Sequence, residues 1–212
     1  MGTFDDLRGS DNGTTVHVVG SGKTMDYIDP GYFADKYVIG VNYSAVALPL
    51  DFAWHVSNHH DDAEKIATMK PGHVVITSEV EQVPAADSTG IPATSSNVLK
   101  VPTTDQRFAG FDPVADWSES RLMLGPSSAT LAMSLAWWLG ADTIILCGID
   151  CGAIDGNGRF DGYEVPDGQL VYGVWQKALD DMANAIRARG VGVYSMNPWT
   201  TLALEGHRFH GA

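Results

Sequence analysis

Four sets of small or polar residues each follow a short apolar run in this 212-residue sequence, and their types suit ligand chemistry. The sets are Gly20-Ser21-Gly22, Asn42, Asn58-His59-His60 and Gly148-Ile149-Asp150. The apolar runs have the length and the β-branched residues of buried parallel strands. Because ligands of open α/β sheets bind beyond the carboxyl ends of the strands, we expect these sets to line one site.

The first set is a glycine-rich loop around Ser21. Gly20 and Gly22 would let the backbone approach a phosphate, and N–H groups at the start of a following helix would point toward it. The loop lacks both common nucleotide signatures. Met25 occupies the position of the third glycine in the G-x-G-x-x-G motif. The Gly-Lys-Thr run at 22–24 also lacks the earlier glycine that a P-loop motif requires. The sequence predicts a phosphate-approaching loop, and a plain tight turn is the alternative.

Two further groups could contact a nucleotide. Ser127 and Ser128 open a predicted helix, where serine oxygens either cap the helix or face an anion bound at its start. Asp150 could accept hydrogen bonds from ribose hydroxyls, or it could cap a turn. Asp155 could join Asp150 as a ligand of Mg²⁺, but without a compact Asp-x-Asp pair we predict no metal site.

The run from His59 to Asp62 has the composition of a metal cluster. Neighbouring side chains point apart both in a strand and on a helix, so no more than two of these residues could share an ion. We therefore expect Asp61 to cap the following helix. One of the two histidines, His59 or His60, should line the cleft as a general base.

The elements that must position these residues alternate between strand and helix. A helix is predicted after Asp61, a second from Ser127 to Leu139, and a third over about 170–189. The predicted strands cover 16–19, 37–41, 52–56, 73–77, 97–101, 143–148 and 191–195. The fold class is therefore α/β, with a mostly parallel sheet. Residues 80–120 are rich in Pro, Ser, Thr and Asp, which predicts a loop-rich lid insertion within a single domain of residues 1–212.

Composition excludes several classes of protein. The 13 Lys and Arg against 26 Asp and Glu give a net charge of −13, which argues against a tight grip on duplex nucleic acid. No apolar run reaches the length of a membrane span, and the first residues lack a signal peptide. The two cysteines, Cys147 and Cys151, are expected to be reduced thiols, so we expect a cytoplasmic protein.

Four separated motifs, taken in order, resemble one superfamily. They are the loop at 20–24, the run ending at Asn42, the serine pair at 127–128 and the stretch from Leu139 to Asp150. The set is similar to small bacterial sialyltransferases of the GT-A-variant type. It is also similar to motility-accessory-factor glycosyltransferases and to hydroxymethylpterin pyrophosphokinases. The resemblance covers about 15–60 and 120–197. It implies a three-layer, Rossmann-like fold with helices on both faces of the sheet.

The resemblance also implies roles for single residues. Ser21 would take the place of a nucleotide-contacting asparagine, Asn42 would face the donor phosphate or sugar, and Ser128 would lie against the nucleotide. Tyr163 and Tyr172 would stabilise the leaving phosphate.

Two departures from the sialyltransferases stand out. Their general-base histidine lies where this chain has Tyr172 to Trp175, and their arginine before the serine pair is replaced by Leu124-Gly125-Pro126. Both departures argue against sialic acid as the transferred sugar and against that base.

The sequence-based hypothesis is a glycosyltransferase. It would move a sugar from a nucleotide-sugar donor, such as a CMP- or UDP-sugar, to a hydroxyl of a glycan, a protein or a hydroxymethylated nucleobase. No other cofactor is predicted, and Mg²⁺ is the candidate metal. The alternatives are an ATP-dependent, pyrophosphokinase-like transferase and a non-catalytic nucleotide-binding module.

Overall fold

A computed structural model describes residues 4–80, 94–104, 111–154, 157–161 and 172–203. Within these residues, seven strands form one sheet around which the helices pack. The helices are α1 (Ser44–Ala47), α2 (His60–Met69), α3 (Ser128–Trp138) and α4 (Tyr172–Arg187). The strands are β1 (Thr15–Val19), β2 (Tyr37–Val41), β3 (Trp54–Val56), β4 (Val75–Ser78), β5 (Val98–Val101), β6 (Thr143–Cys147) and β7 (Gly192–Ser195).

The strands lie in the order β5-β4-β3-β2-β1-β6-β7, and every pair of neighbours is parallel. From β1 the chain adds β2 to β5 outward on one side, then returns to the other side of β1 for β6 and β7. The direction of growth therefore reverses between β1 and β6. At such a switch point the connections leave in opposite directions and open a crevice beyond the carboxyl ends of the two strands.

The central strands are buried on both faces, which explains their continuous apolar sequences. Val16 and Val18 of β1 pack on the same side as Ile144 and Leu146 of β6. Val19, Ile145 and Cys147, at the alternate positions of the same strands, belong to the opposite core cluster. This alternation follows from the two-residue period of a strand.

Different helices cover the two faces of the sheet. Helix α3 contributes Leu131 and Leu135 to the larger cluster, which Leu179 and Met182 of α4 join. The opposite face near β1 is covered by two short 3-10 helices, Lys23–Tyr27 and Pro30–Phe33, rather than by an α-helix. The predicted three-layer α/β fold, with a Rossmann-like parallel sheet, is confirmed.

The structure differs from the predicted elements in a few places. Strands β3 and β4 are shorter than predicted. The strand predicted at 97–101, within the predicted lid at 80–120, is present as β5. Residues 81–93 and 105–110 of that segment lie outside the described residues. The prediction that Asp61 caps α2 is wrong, because the helix starts at His60 and its N-cap residue is His59, two residues before Asp61. The Asp61 side chain instead accepts a hydrogen bond from the backbone N–H of Asp62 (2.9 Å).

The sheet also contains two buried histidines, His17 and His55. His55 of β3 is fully buried, and neither of its ring nitrogens has a hydrogen-bond partner in the described part of the chain. Burial lowers the pKa of His55 to about 4, and it does the same for His17 of β1. Both imidazoles are therefore neutral in the folded protein at neutral pH.

This burial predicts a loss of stability in mild acid. Between pH 6.5 and pH 4 the unfolded chain binds a proton at each of these histidines that the folded chain does not bind. The free energy of unfolding therefore falls as the pH falls through this window. For His55 alone, the loss between pH 7 and pH 5 is about 2 kcal/mol. Between pH 7 and pH 5 the free energy of unfolding of the variant His55→Phe should therefore fall by about 2 kcal/mol less than that of the parent protein. Urea unfolding at the two pH values measures both changes. Equal losses in the two proteins would contradict the prediction.

Candidate functional site

A cleft opens beyond the carboxyl ends of β1 and β6, at the switch point of the sheet. The loop after β1, the loop after β6 and the start of α3 all contribute to its walls. Asn42 and Asn58, which follow β2 and β3, also line it. The four sets that the sequence places after strands therefore meet here, with the exception of His60.

The glycines after β1 let two loops pack closely together. The Gly20 N–H donates to the Cys147 carbonyl (2.8 Å) and the Gly22 N–H donates to the Gly148 carbonyl (2.7 Å). A Cβ atom on Gly22 would lie 2.7 Å from the Gly148 oxygen, so a side chain has no room there. Both of these N–H groups are thus used inside the protein. Close packing of the two loops, rather than donation to a phosphate by Gly20 and Gly22, accounts for these glycines.

Asp150 joins the loops at the ends of three strands. Its carboxylate accepts hydrogen bonds from the Thr24 N–H (2.8 Å), the Thr24 hydroxyl (2.5 Å) and the Asn197 side-chain amide (3.1 Å). Burial raises the pKa of Asp150, and the hydrogen bonds from Thr24 and Asn197 oppose that rise. A carboxylate offers about four acceptor positions, so the Asp150 side chain keeps capacity for a ligand hydroxyl.

Two asparagines present polar atoms that the protein leaves unsatisfied. The Asn42 Oδ1 and Asn58 Oδ1 atoms are buried and have no hydrogen-bond partner among the described residues. Asn58 is 1% exposed and borders the cleft. Asn42 has a positive φ of 52°, a conformation that asparagine tolerates better than most residues. Buried polar atoms without partners are rare in proteins, and where they line a cleft, as Asn42 and Asn58 do, a ligand could supply the missing hydrogen bond.

The serine pair opens α3 at the wall of the cleft. Ser127 is the N-cap residue, but its hydroxyl caps no backbone N–H and has no partner in the described structure. The Ser128 hydroxyl accepts a hydrogen bond from the Asn58 backbone N–H (3.0 Å), which ties α3 to the end of β3. The amino end of α3 carries the positive end of the helix dipole, and its first turn has no acidic side chain. This part of the cleft favours an anion.

The two adjacent histidines have different environments. His59 is half-buried and lines the cleft. His60 is 5% exposed, and its Nε2 lies 2.7 Å from the Ser78 carbonyl oxygen, away from the cleft. The structure therefore keeps His59 as a candidate base and gives His60 a structural contact at the end of β4.

The amino end of α4 supplies aromatic groups. Tyr172 and Trp175 both line the cleft, with ring centroids 6.1 Å apart in an edge-to-face arrangement. The Trp175 Nε1 is buried without a partner in the described part of the chain. Trp175 has the sequence spacing of a core residue, in line with Leu179 and Met182, but in the structure it lines the cleft. Tyr163 and Asp155, also predicted as site residues, lie outside the described residues.

Arg159 is a cleft residue that sequence reasoning missed. Its Nη1 donates to the Ser21 hydroxyl (2.6 Å), and among the described residues of the cleft wall it is the only lysine or arginine. The sequence held a signal, because few basic residues occur in so acidic a chain and Arg159 follows a Gly-Asn-Gly turn sequence. Only the path of the chain shows that this turn returns to the first loop.

Neither cysteine forms a disulfide. Cys147 lies inside β6, and Cys151 follows Asp150 in the cleft wall with a positive φ of 48°. Burial raises the pKa of Cys151 to about 12, so its thiol stays protonated at neutral pH. Within the described ranges no group of three or more His, Cys, Asp or Glu side chains could hold a metal ion. In the same ranges no helix has the length and apolar character needed to span a bilayer.

Comparison with solved structures shows the same fold in two glycosyltransferases. The MAf glycosyltransferase from Magnetospirillum magneticum AMB-1 superposes with a TM-score of 0.57 at 17% identity, over 90% of this chain and 33% of that one. The sialyltransferase CstII from Campylobacter jejuni, in complex with cytidine-5′-monophosphate, superposes with a TM-score of 0.51 at 15% identity, over 91% and 83%. No family model and no curated protein matches the sequence.

These likenesses confirm the fold that the sequence resemblance implied. The chain spans about a third of the length of the MAf glycosyltransferase. Identities of 15% to 17% establish a shared architecture and leave the chemistry to be argued from the site itself.

Proposed function

We propose that this protein is a glycosyltransferase that binds a nucleotide-sugar donor in the cleft between β1 and β6. The observation that carries the proposal is the set of unsatisfied acceptors in the cleft wall, on Asn42, Asn58 and Ser127. A nucleoside supplies ribose O–H donors and, for cytosine, adenine and guanine, an amino group. These donors would satisfy the acceptors, and each buried acceptor that gains a partner recovers a cost of about 1–3 kcal/mol.

The amino end of α3 suits the phosphate of such a donor. Glycosyl transfer breaks the bond between the anomeric carbon and the phosphate oxygen, and the nucleotide leaves with the electron pair. Negative charge therefore grows on the phosphate as the reaction proceeds. The dipole of α3 and the Ser127 hydroxyl would stabilise that charge, and Tyr172 at the start of α4 would add a hydroxyl donor.

His59 is the general base in this proposal. It lines the same cleft, and a neutral imidazole can take the proton from an acceptor hydroxyl as the new carbon–oxygen bond forms. The acceptor would be a glycan, a protein or a hydroxymethylated nucleobase. The two solved structures compared above are glycosyltransferases, and CstII was solved with CMP, which supports a CMP-sugar as the donor; a UDP-sugar is the alternative.

Donor binding should depend on the Asn42 side chain. The variant Asn42→Gly removes that side chain and still accepts the positive φ, whereas alanine would add backbone strain. We expect Asn42→Gly to weaken donor binding about tenfold, the cost of one buried hydrogen bond. The measurement is calorimetric titration with the donor that raises the melting temperature most among CMP-, UDP-, GDP- and dTDP-sugars and ATP, each with and without Mg²⁺.

The matched control is Asn184→Ala, at an exposed position of α4 outside the cleft. This variant should bind the donor as the parent protein does. Equal affinities for the parent and Asn42→Gly would refute the site assignment. A thermal shift with ATP and Mg²⁺ alone would favour the pyrophosphokinase-like alternative.

Turnover should depend on His59. We expect His59→Gln to lower the rate of nucleotide release from the donor about 10²- to 10⁴-fold in the presence of acceptor, with donor affinity unchanged. His60→Gln is the control, since glutamine can still donate to the Ser78 carbonyl and His60 lies outside the cleft. An unchanged rate in His59→Gln would remove this residue as the base. Donor binding without turnover under any condition would favour a non-catalytic nucleotide-binding module.

A further inference from the structure

We infer that Arg159 binds the donor phosphate and that Asp26 positions it for this purpose. The inference rests on the proposed nucleotide site and adds a phosphate-binding group to it. It starts from the segment 157–161, which brings a guanidinium into the wall of the cleft. Arginine suits this task because its planar fork of N–H donors matches phosphate oxygens.

Contacts of Arg159 and of Phe160, the residue after it, fix the chain there. The Phe160 N–H donates to the Ser21 carbonyl (3.1 Å), while the Arg159 side chain donates to the hydroxyl of the same serine. The Phe160 ring is 7% exposed and packs in the cluster that contains Val19 and Met25. The guanidinium is therefore attached to the loop that follows β1.

Asp26 completes this attachment. Its carboxylate accepts a hydrogen bond from the Asp161 N–H (2.9 Å) and lies 2.6 Å from the Lys23 Nζ, which in turn lies 2.7 Å from the Asp161 carboxylate. Lys23 is 8% exposed and holds both carboxylates. The lysine of the Gly-Lys-Thr run thus connects the first loop to segment 157–161. Among the described residues of the cleft wall, the cation is Arg159.

The distribution of charge indicates a phosphate as the ligand of Arg159. The chain has a net charge of −13, so an anion meets repulsion over most of the molecule. In the cleft wall a guanidinium is combined with the amino end of α3, which has no acidic residue in its first turn. Ser21 supplies a hydroxyl that already orients the guanidinium.

The experiment separates phosphate recognition from nucleoside recognition. CMP, UDP, cytidine and uridine are titrated into the full chain, and the ratio of nucleotide to nucleoside affinity is the readout. We expect Arg159→Gln to lower this ratio about 10- to 100-fold, the value of a charged hydrogen bond, with nucleoside affinity unchanged. Arg159→Lys keeps the positive charge but loses the planar fork of N–H donors, so its affinity ratio should lie between those of the parent protein and Arg159→Gln. Arg121→Gln, at an exposed position outside the cleft, should change nothing.

The role of Asp26 is tested with the same ratio. Asp26→Ala should lower the ratio with nucleoside affinity unchanged, and Asp26→Asn, which keeps one oxygen for the Asp161 N–H, should restore most of it. A purely structural role would lower both affinities together and would overturn the positioning role. Nucleotide binding with an unchanged ratio in Arg159→Gln overturns the assignment of Arg159 and leaves the proposed function standing. No nucleotide binding by the parent protein overturns both.

Discussion

The carboxylate of Asp150 is the interaction on which the cleft depends. It follows β6, and it receives hydrogen bonds from Thr24 after β1 and from Asn197 after β7, so one buried side chain joins the ends of three neighbouring strands. A buried carboxylate is stable only when such donors surround it. Because the loops after β1 and β6 are held together, the crevice between them has fixed walls without any ligand.

The walls fall into two groups of residues with different tasks. The N–H groups of Gly20 and Gly22 donate to carbonyl oxygens at the end of β6 and in the loop after it, and the Ser128 hydroxyl accepts from the Asn58 N–H. These contacts connect the segments that form the cleft wall. Asn42, Asn58 and Ser127 instead keep unsatisfied oxygens in the cleft wall. In such a site the entropic cost of ordering the polar groups is met during folding, so a ligand binds to groups that are already oriented.

The fold could be predicted from the sequence because local signals agree with it. The run from Thr143 to Cys147 is apolar and β-branched, and the serine pair marks the start of α3 within one residue. The rule that ligands bind beyond parallel strands then brought Asn42, Asn58 and Asp150 to one place. The fold and the position of the cleft therefore follow from the periodicity of the sequence and from the order of its elements.

Residue roles that depend on side-chain direction could not be predicted. Whether His59 or His60 faces the cleft is decided by where α2 begins, and one residue of helix rotates the side chain by about 100°. Arg159 reaches the cleft only because segment 157–161 folds back onto Ser21 and Asp26, a tertiary contact with no local pattern. Trp175 has the spacing of a core residue, and the end of its helix places it in the cleft wall.

The side-chain amide resonances of Asn42 and Asn58 provide the most direct test that the cleft is a nucleotide site. In a ¹⁵N-labelled protein titrated separately with CMP and with UDP, at least one nucleotide should shift both resonances with a common saturation curve. The amide of Asn184, which is exposed on α4, should stay in place. Saturable shifts that spare Asn42 and Asn58, or no shifts with either nucleotide, would contradict the account.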